Sequence, residues 1–353
     1  MPEDQNEMLV SAVDEFCRKY VEGQALRIER AGLDKDLIEK LGSQGLIALK
    51  FPEEHGGSLL PDDAYLQVLK TFASYSPSVA LFIAVQNSII LPLLVKSAET
   101  QEILKEIAAG KKSAGFSLSS STMSKETLGN LNFSGKSVSG IKNYILGPGL
   151  DILLVSADPL PDALLLFTSG FTVREKYPVL GFRGLGISSV EFSDSSYIVI
   201  SKENGRSMIE SAIRSMGNAV SAISLGIANG AIGKAMEYSK VRSTFGHLLM
   251  DYEPVAYPLS MIKSEIDELS RYLARWNSLS ETEKFSIKIR SIEISLKASR
   301  QSIQSHGGYG YLQDFGVEKF YRDSATLTAL FMDGQSDKIY LSELSYNGKA
   351  GFL

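Results

Sequence analysis

The apolar residues of this chain change their period twice, and few folds accommodate both changes. Over residues 1–112 they recur at helical spacing. Leu9, Val13, Phe16 and Tyr20 form one stripe, and Leu66, Leu69 and Phe72/Ala73 form another, with Pro52, Gly56 and Gly57 punctuating the stretch between them. Over 113–200 the pattern shortens. Ile152-Leu153-Leu154-Val155 and Leu164-Leu165-Leu166-Phe167 are short apolar runs bounded by Asp, Pro, Ser and Gly, which predicts closely spaced strands in a small β-barrel or sandwich. Over 201–353 helical spacing returns. Leu259, Ile262, Ile266, Leu269, Leu273 and Trp276 follow a 3-4-3-4-3 rhythm, and Phe285, Ile289, Ile292, Leu296, Ser299 and Ile303 nearly repeat it, as antiparallel helices of a bundle do. The expectation is an α+β chain of three lobes: a helical lobe (1–112), a β lobe (113–200) and a helical bundle (201–353).

Bulk properties narrow the function. A net charge of −5 gives no electrostatic case for nucleic acid or for an anionic membrane surface. A single cysteine, Cys17, rules out an intrachain disulfide, and three scattered histidines argue against a metal centre. The apolar run from Val79 to Val95 is interrupted by Gln86, Asn87 and Pro92 and reads as a buried core helix rather than a bilayer span. The first residues, Met1-Pro2-Glu3-Asp4-Gln5, resemble neither a signal nor a transit peptide, so a soluble, cytoplasmic protein is expected. Gly226, Gly230 and Gly233 fall within one helical segment. Each costs about 1 kcal/mol relative to alanine, which close helix packing would offset.

Several motifs remain. Near the C-terminus the chain reads Gln304-Ser305-His306-Gly307-Gly308-Tyr309-Gly310-Tyr311, then Val317-Glu318-Lys319-Phe320-Tyr321-Arg322-Asp323, then Met332-Asp333-Gly334-Gln335-Ser336. Upstream stand Leu41-Gly42-Ser43-Gln44-Gly45-Leu46 with Phe51-Pro52-Glu53-Glu54-His55-Gly56-Gly57. Further on come Gly140-Ile141-Lys142-Asn143-Tyr144-Ile145-Leu146, Gly181-Phe182-Arg183-Gly184, and Tyr238, Arg242, Phe245 and Gly246 in a Y-x-x-x-R-x-x-F-G pattern. In order and spacing, over nearly the whole chain, they resemble the acyl-CoA dehydrogenases.

That resemblance implies a fold and a chemistry. The fold would be an N-terminal α-helical domain, a middle β-barrel and a C-terminal four-helix bundle. The chemistry would be oxidation of an acyl-CoA thioester at its α and β carbons. An acidic residue, here Asp333, takes the α-proton while hydride passes from the β-carbon to N5 of FAD. Arg242, Phe245, Gln304, Gly307 and Gly308 fall where the family binds the ADP half of FAD, the Gln-x-x-Gly-Gly stretch coming from a neighbouring subunit. Ser119, Tyr144 and Gln335 fall at flavin-side positions. An electron-transfer partner and a homodimer or homotetramer are also implied. An Arg fork suits phosphate oxygens, a Phe supplies a face for adenine, and glycine backbone permits close approach.

The departures are equally specific. The family's T-E-P-x-A-G-S-D is replaced by Ser119-Ser120-Ser121-Thr122-Met123-Ser124-Lys125. The flavin-strand Trp is Tyr144, the Thr beside flavin N5 is Leu146, and the Arg opening the first bundle helix aligns with Gly217. The base is Asp instead of Glu, shorter by roughly 1.5 Å, and the alternative base position holds Met216. A second reading therefore stands beside the first: a degenerate homologue that keeps the fold as a binding or assembly subunit. Plainer readings apply to single residues. Asp333-Gly334 suits a turn, Arg242 a solvated helix face and Phe245 a core position. Glu318 and Arg322 suit an ordinary surface i, i+4 pair. His306 has no partner in the sequence that would make it an acid or base.

Overall fold

The computed structural model describes residues 3–118, 123–157, 162–331 and 336–347. The first lobe contains α1 (Glu3–Tyr20), α2 (Ala25–Ala31), α3 (Lys35–Ser43) and α4 (Asp62–Tyr75). The Asp34 side chain caps α3 by accepting from the Leu37 N–H at 2.9 Å. Pro77 then opens α5 (Pro77–Val85), where its missing N–H costs nothing. A π segment (Gln86–Ile90) joins α5 to α6 (Leu91–Leu94), and α7 (Gln101–Ala108) follows. The stretch Pro77–Leu94 is long and apolar enough to cross a membrane, yet 89% of it is buried within the protein. Asn87 explains how a polar residue sits there. Its Nδ2 donates to the Ile47 and Ile83 carbonyls at 2.6 and 2.8 Å, and its Oδ1 accepts from Lys50 N–H at 3.0 Å.

The second lobe is built from β1 (Ala114–Ser117), the short α8 (Lys125–Leu128), β2 (Gly129–Ser134), β3 (Ser137–Leu146), β4 (Ile152–Ser156), β5 (Leu164–Phe167), β6 (Phe171–Tyr177), β7 (Ile187–Ser196) and β8 (Ile198–Ser201). The strands pair in the order β6-β7-β3-β1-β4-β5-β8, with β2 on β3. The runs β4 and β5 are buried on both faces, which is why they read as continuous apolar stretches. The expected barrel does not close: among the described residues no pairing joins β6 to β8. β6 is a suitable edge, because Arg174, Glu175 and Lys176 are exposed and discourage further pairing.

The third lobe holds α9 (Gly205–Arg214), α10 (Gly217–Val241), the two-residue strands β9 (Ser243–Thr244) and β10 (His247–Leu248), α11 (Glu253–Leu273), α12 (Glu281–His306), α13 (Glu318–Phe331) and α14 (Ser336–Asn347). The α11 stripe Leu259, Ile262, Ile266, Leu269 and Leu273 is buried as expected. A reciprocal cap starts α12: Glu283 Oε2 accepts from Ser280 N–H at 2.8 Å, and Ser280 Oγ accepts from Glu283 N–H at 3.3 Å. α10 packs on α4 and α12. A Cβ at Gly226 or Gly230 would lie 2.3 Å from the Lys70 or Ser74 carbonyl oxygen, so these glycines permit the α4–α10 approach. Gly233 differs, since a Cβ there would meet nothing within 4 Å. The buried face of α12 is partly a seam of hydroxyls: Ser291, Ser295, Ser299 and Ser302 are all 0% exposed, with Ser299 Oγ 3.1 Å from Ser324 Oγ of α13.

Candidate active site

Four predicted cofactor residues lie at one end of the bundle, and a fifth stands at the tip of the adjoining hairpin. α10 ends at Arg242, whose φ of −84° and ψ of 125° turn the chain into β9. β9 and β10 pair antiparallel, Thr244 opposite His247, leaving Phe245-Gly246 as a two-residue loop. Both loop residues have positive φ, 47° and 84°, the requirement of a type I′ turn. A bulky aromatic residue is unfavourable there. Phe245 is nonetheless at the tip and 93% exposed, so it has no core role. The Arg242 guanidinium lies 5.9 Å from the centre of the Tyr309 ring. Tyr309 belongs to the 3-10 turn Gly307–Tyr311 that ends α12. Gln304, Gly307 and Gly308 are exposed on that same end, and a Cβ at either glycine would meet nothing within 4 Å. An exposed cation, an exposed aromatic ring and open glycine backbone are thus assembled, and no group among the described residues covers them.

His306 sits beneath this surface. It is 6% exposed, stacks on Tyr238 at 4.4 Å between ring centres, and its Nδ1 lies 2.8 Å from the Ser302 carbonyl. Burial pushes its pKa down, and Lys234 adds to the effect. It is a packing residue under the glycine turn. Alongside, a cleft of about 1600 Å³ runs between α1, α4 and α10 and reaches Tyr238 and His306. Gly233 opens onto it. Its walls carry Lys70 and Lys234 but also Glu7 and Glu22, so its charge selects no class of ligand.

Tyr144 belongs to a different cluster, in the second lobe. The β3–β7 register shifts between Lys142 and Ile145, and Tyr144 takes a φ of 56° at that irregularity. Its ring stacks on Tyr177 at 5.2 Å, and its carbonyl accepts from Leu118 N–H at 2.8 Å. Tyr177 in turn donates from its hydroxyl to Asn143 Oδ1 at 3.2 Å. The end of β1, just before Ser119, is therefore pinned to Tyr144. Leu146 packs against the main hydrophobic core and brings no hydroxyl. Ser119, Asp333 and Gln335 lie outside the described residues. Met216 is 1% exposed at the N-terminus of α10.

One group of residues was misjudged from sequence. Glu318 and Arg322 are not a surface pair: their side chains are 14% and 13% exposed. Arg322 Nη2 donates to Glu318 at 3.1 Å and to Glu29 of α2 at 3.0 Å, while Nη1 donates to the Leu180 carbonyl of the second lobe at 3.0 Å. Asp323, fully buried, accepts from Phe182 N–H at 2.5 Å. Lys319, 2% exposed, donates to the Tyr75 carbonyl at 3.2 Å. Ser78 Oγ accepts from Gly184 N–H at 3.3 Å. The i, i+4 spacing was correct, but nothing local reveals that two other lobes close over it.

Comparison with known proteins decides what this assembly belongs to. Residues 3–111 match the family model "Acyl-CoA dehydrogenase, N-terminal domain", and residues 203–337 match "Acyl-CoA dehydrogenase, C-terminal domain". The chain belongs to the acyl-CoA dehydrogenase family. Among its relatives is the caffeyl-CoA reductase-Etf complex subunit CarC of Acetobacterium woodii, 23% identical over 96% of this chain and 97% of that protein. Among solved structures, butyryl-CoA dehydrogenase from Megasphaera elsdenii superposes with a TM-score of 0.80 at 20% identity, covering 98% of both chains. A glutaryl-CoA dehydrogenase from Mycobacterium smegmatis in complex with FADH2 superposes with a TM-score of 0.81 at 17% identity, covering 100% of this chain and 97% of that one. As an acyl-CoA dehydrogenase-family chain, it shares that fold from end to end. Its second lobe is matched by neither of these two family models.

Proposed function

We propose that this chain is a flavin-dependent acyl-CoA oxidoreductase, acting on the α,β carbons of an acyl thioester as a cytoplasmic homo-oligomer. The observation that carries the reading is the bare surface formed by Arg242, Phe245, Gln304, Gly307 and Gly308. It has the donor set that an FAD pyrophosphate and adenine need, a charged fork beside an aromatic face and open backbone. Phe245 in a strained loop, facing solvent, is a residue kept for a contact that a lone chain does not make. Tyr144 and Ser119 would border the flavin ring from the second lobe. When bound, FAD supplies a two-electron acceptor for the β-hydrogen. Asp333 removes the α-proton, and the surrounding lobes orient the thioester and exclude water.

The same chemistry runs in either direction, and the reductase name of the relative CarC leaves both open here. That relative's Etf complex also supports an electron-transfer flavoprotein as the redox partner. One observation favours the second reading, a homologue without dehydrogenase activity. Leu146, half-buried against the core, stands at the position of the family's flavin hydrogen-bonding Thr, so one contact near the reactive nitrogen is lost.

The visible spectrum of the purified protein separates the readings. Oxidised flavin absorption that bleaches anaerobically on adding an acyl-CoA supports the enzyme. A colourless protein with no thermal shift in excess FAD overturns the cofactor assignment. A yellow protein that no short, branched or long acyl-CoA bleaches overturns the dehydrogenase and leaves the binding subunit.

A further inference from the structure

Tyr144 stands at a gap in the pairing of β3. On the β7 side, Lys142 lies opposite Val190 and Ile145 opposite Ser188, so Asn143 and Tyr144 together face the single residue Ser189. On the other side, pairing with β2 ends at Lys142 and pairing with β1 begins at Ile145. The two residues therefore bridge two neighbouring strands at a point where no paired register fixes them. A bulge of this kind re-aims a side chain. The left-handed backbone of Tyr144, φ 56°, is unfavourable for an aromatic residue. Such a conformation persists only where the surroundings over-determine it.

Tyr177 supplies that restraint. It closes β6, the strand beyond β7, in register with Ile187. Residues 172–176 of the same strand are exposed, whereas Tyr177 is half-buried. Its ring stacks on Tyr144 with centres 5.2 Å apart and planes inclined by 24°, within the range where aromatic pairs attract. Its hydroxyl donates to Asn143 Oδ1 at 3.2 Å, and Asn143 Nδ2 donates to the Thr127 carbonyl of α8 at 3.0 Å. One side chain thus holds the ring of one bulge residue and the amide of the other. Tyr144 passes the restraint on, because its carbonyl accepts from Leu118 N–H at 2.8 Å, just beyond the end of β1.

We propose that Tyr177 is the positioning residue for Tyr144 on the flavin side of the second lobe, with Asn143 as its anchor. Tyr is a smaller plate than the Trp that the family carries on this strand. A second ring stacked on it restores aromatic bulk and fixes its tilt. The inference rests on Tyr144 as a flavin-side residue, and it adds to that reading the residue that orients it.

Two measurements on the full chain test it. The first needs no flavin. Tyr177→Val keeps a strand-forming residue at the edge and removes the ring. In the flavin-free protein it should speed hydrogen exchange of the Leu118 amide by about tenfold or more, with exchange in β4 and β5 unchanged. Tyr177→Phe keeps the stack and should stay within about threefold of the parent. The second measurement titrates FAD and reads the fluorescence of the bound flavin, which an ordered neighbouring phenol quenches. Tyr177→Val should weaken binding about tenfold and raise that fluorescence, and Tyr177→Phe should restore both. Tyr177→Leu takes its place if Tyr177→Val fails to fold. Unchanged Leu118 exchange in Tyr177→Val would reduce the stack to surface packing and overturn the proposal. Tyr144→Leu separates the two readings. FAD binding and fluorescence that respond to Tyr144→Leu but not to Tyr177→Val overturn the proposal alone. FAD binding that neither variant alters, or a parent that binds no FAD, removes the flavin-side reading of Tyr144 and the proposal with it.

Discussion

The guanidinium of Arg242 stands 5.9 Å from the centre of the Tyr309 ring, one group closing α10 and the other closing α12. The contact fixes an exposed cation beside the open backbone of Gly307 and Gly308. Such an exposed cation–π pair contributes about 0.5–1 kcal/mol to the fold, whereas a charged hydrogen bond to a phosphate is worth about 1.5–3 kcal/mol.

Arg242→Ala should therefore weaken FAD binding by about 10- to 100-fold while shifting the melting temperature of the flavin-free protein very little. Flavin fluorescence titration reads the first quantity and calorimetry the second. Equal losses in both would make Arg242 a fold residue.

Asp333→Asn should abolish bleaching by acyl-CoA and leave FAD bound, since the shape is kept and the proton acceptor is gone. Asp333→Glu should be at least as active as the parent on straight-chain substrates because it restores the missing reach. Stopped-flow absorbance measures both variants. Equal bleaching by the parent and Asp333→Asn would reduce Asp333 to a turn residue.

The cluster on α13 predicts a pH dependence of stability. It gathers three carboxylates, the buried Glu29 and Asp323 and the half-buried Glu318, around two cations, the buried Lys319 and the half-buried Arg322, with Lys234 of α10 facing Lys319. Asp323 Oδ2 has no hydrogen-bond donor among the described residues. Burial first, then Glu29, pushes the Asp323 carboxyl up to about 7. A carboxyl raised in the folded state favours folding while protonated. Its contribution is complete below the unfolded value of about 4 and is lost as pH rises through about 7. Parent stability should fall over that window. Asp323→Asn, which keeps an acceptor for Phe182 N–H, should flatten the fall in urea melts at pH 5, 6, 7 and 8. Parallel curves for the two proteins would contradict the charge count.

Two glycines one turn apart should respond oppositely to the same substitution. Gly230→Ala drives a methyl to 2.3 Å from the Ser74 carbonyl oxygen and should destabilise by about 2 kcal/mol or more. Gly233→Ala meets nothing and gains helix propensity, so it should stabilise by up to about 1 kcal/mol. Denaturant midpoints at constant slope are the measurement.

The parts of this molecule visible in its sequence are those whose signal is periodic or punctuated. The α11 stripe and the fully buried runs of β4 and β5 each leave a local pattern, whereas Phe245, by its plain reading a core position, is the exposed tip of a two-residue loop. The inner face of α12 was only half visible, because Ser291, Ser295 and Ser302 do there what apolar residues usually do, and a hydropathy stripe cannot register a hydroxyl. Gly233 resembled Gly226 and Gly230 in sequence and differs only in what lies opposite. Arg322 was misread for the same reason: its burial is created by Glu29 and Leu180, remote in the chain. The strand ends that leave the sheet unclosed depend likewise on which edges meet.

Arg322 and Glu29 are separated by 293 positions, and that distance bears on how the molecule is made. The N-terminal lobe emerges from the ribosome first, with a carboxylate destined for burial and its cation not yet synthesised. Until α13 arrives, that lobe must keep Glu29 hydrated, and the Gly181–Gly184 loop has only one of its two walls. The last helices to be translated thus complete the interior of the first. A chain truncated before α13 would lose more than its own C-terminal lobe, and the three lobes should melt in one transition.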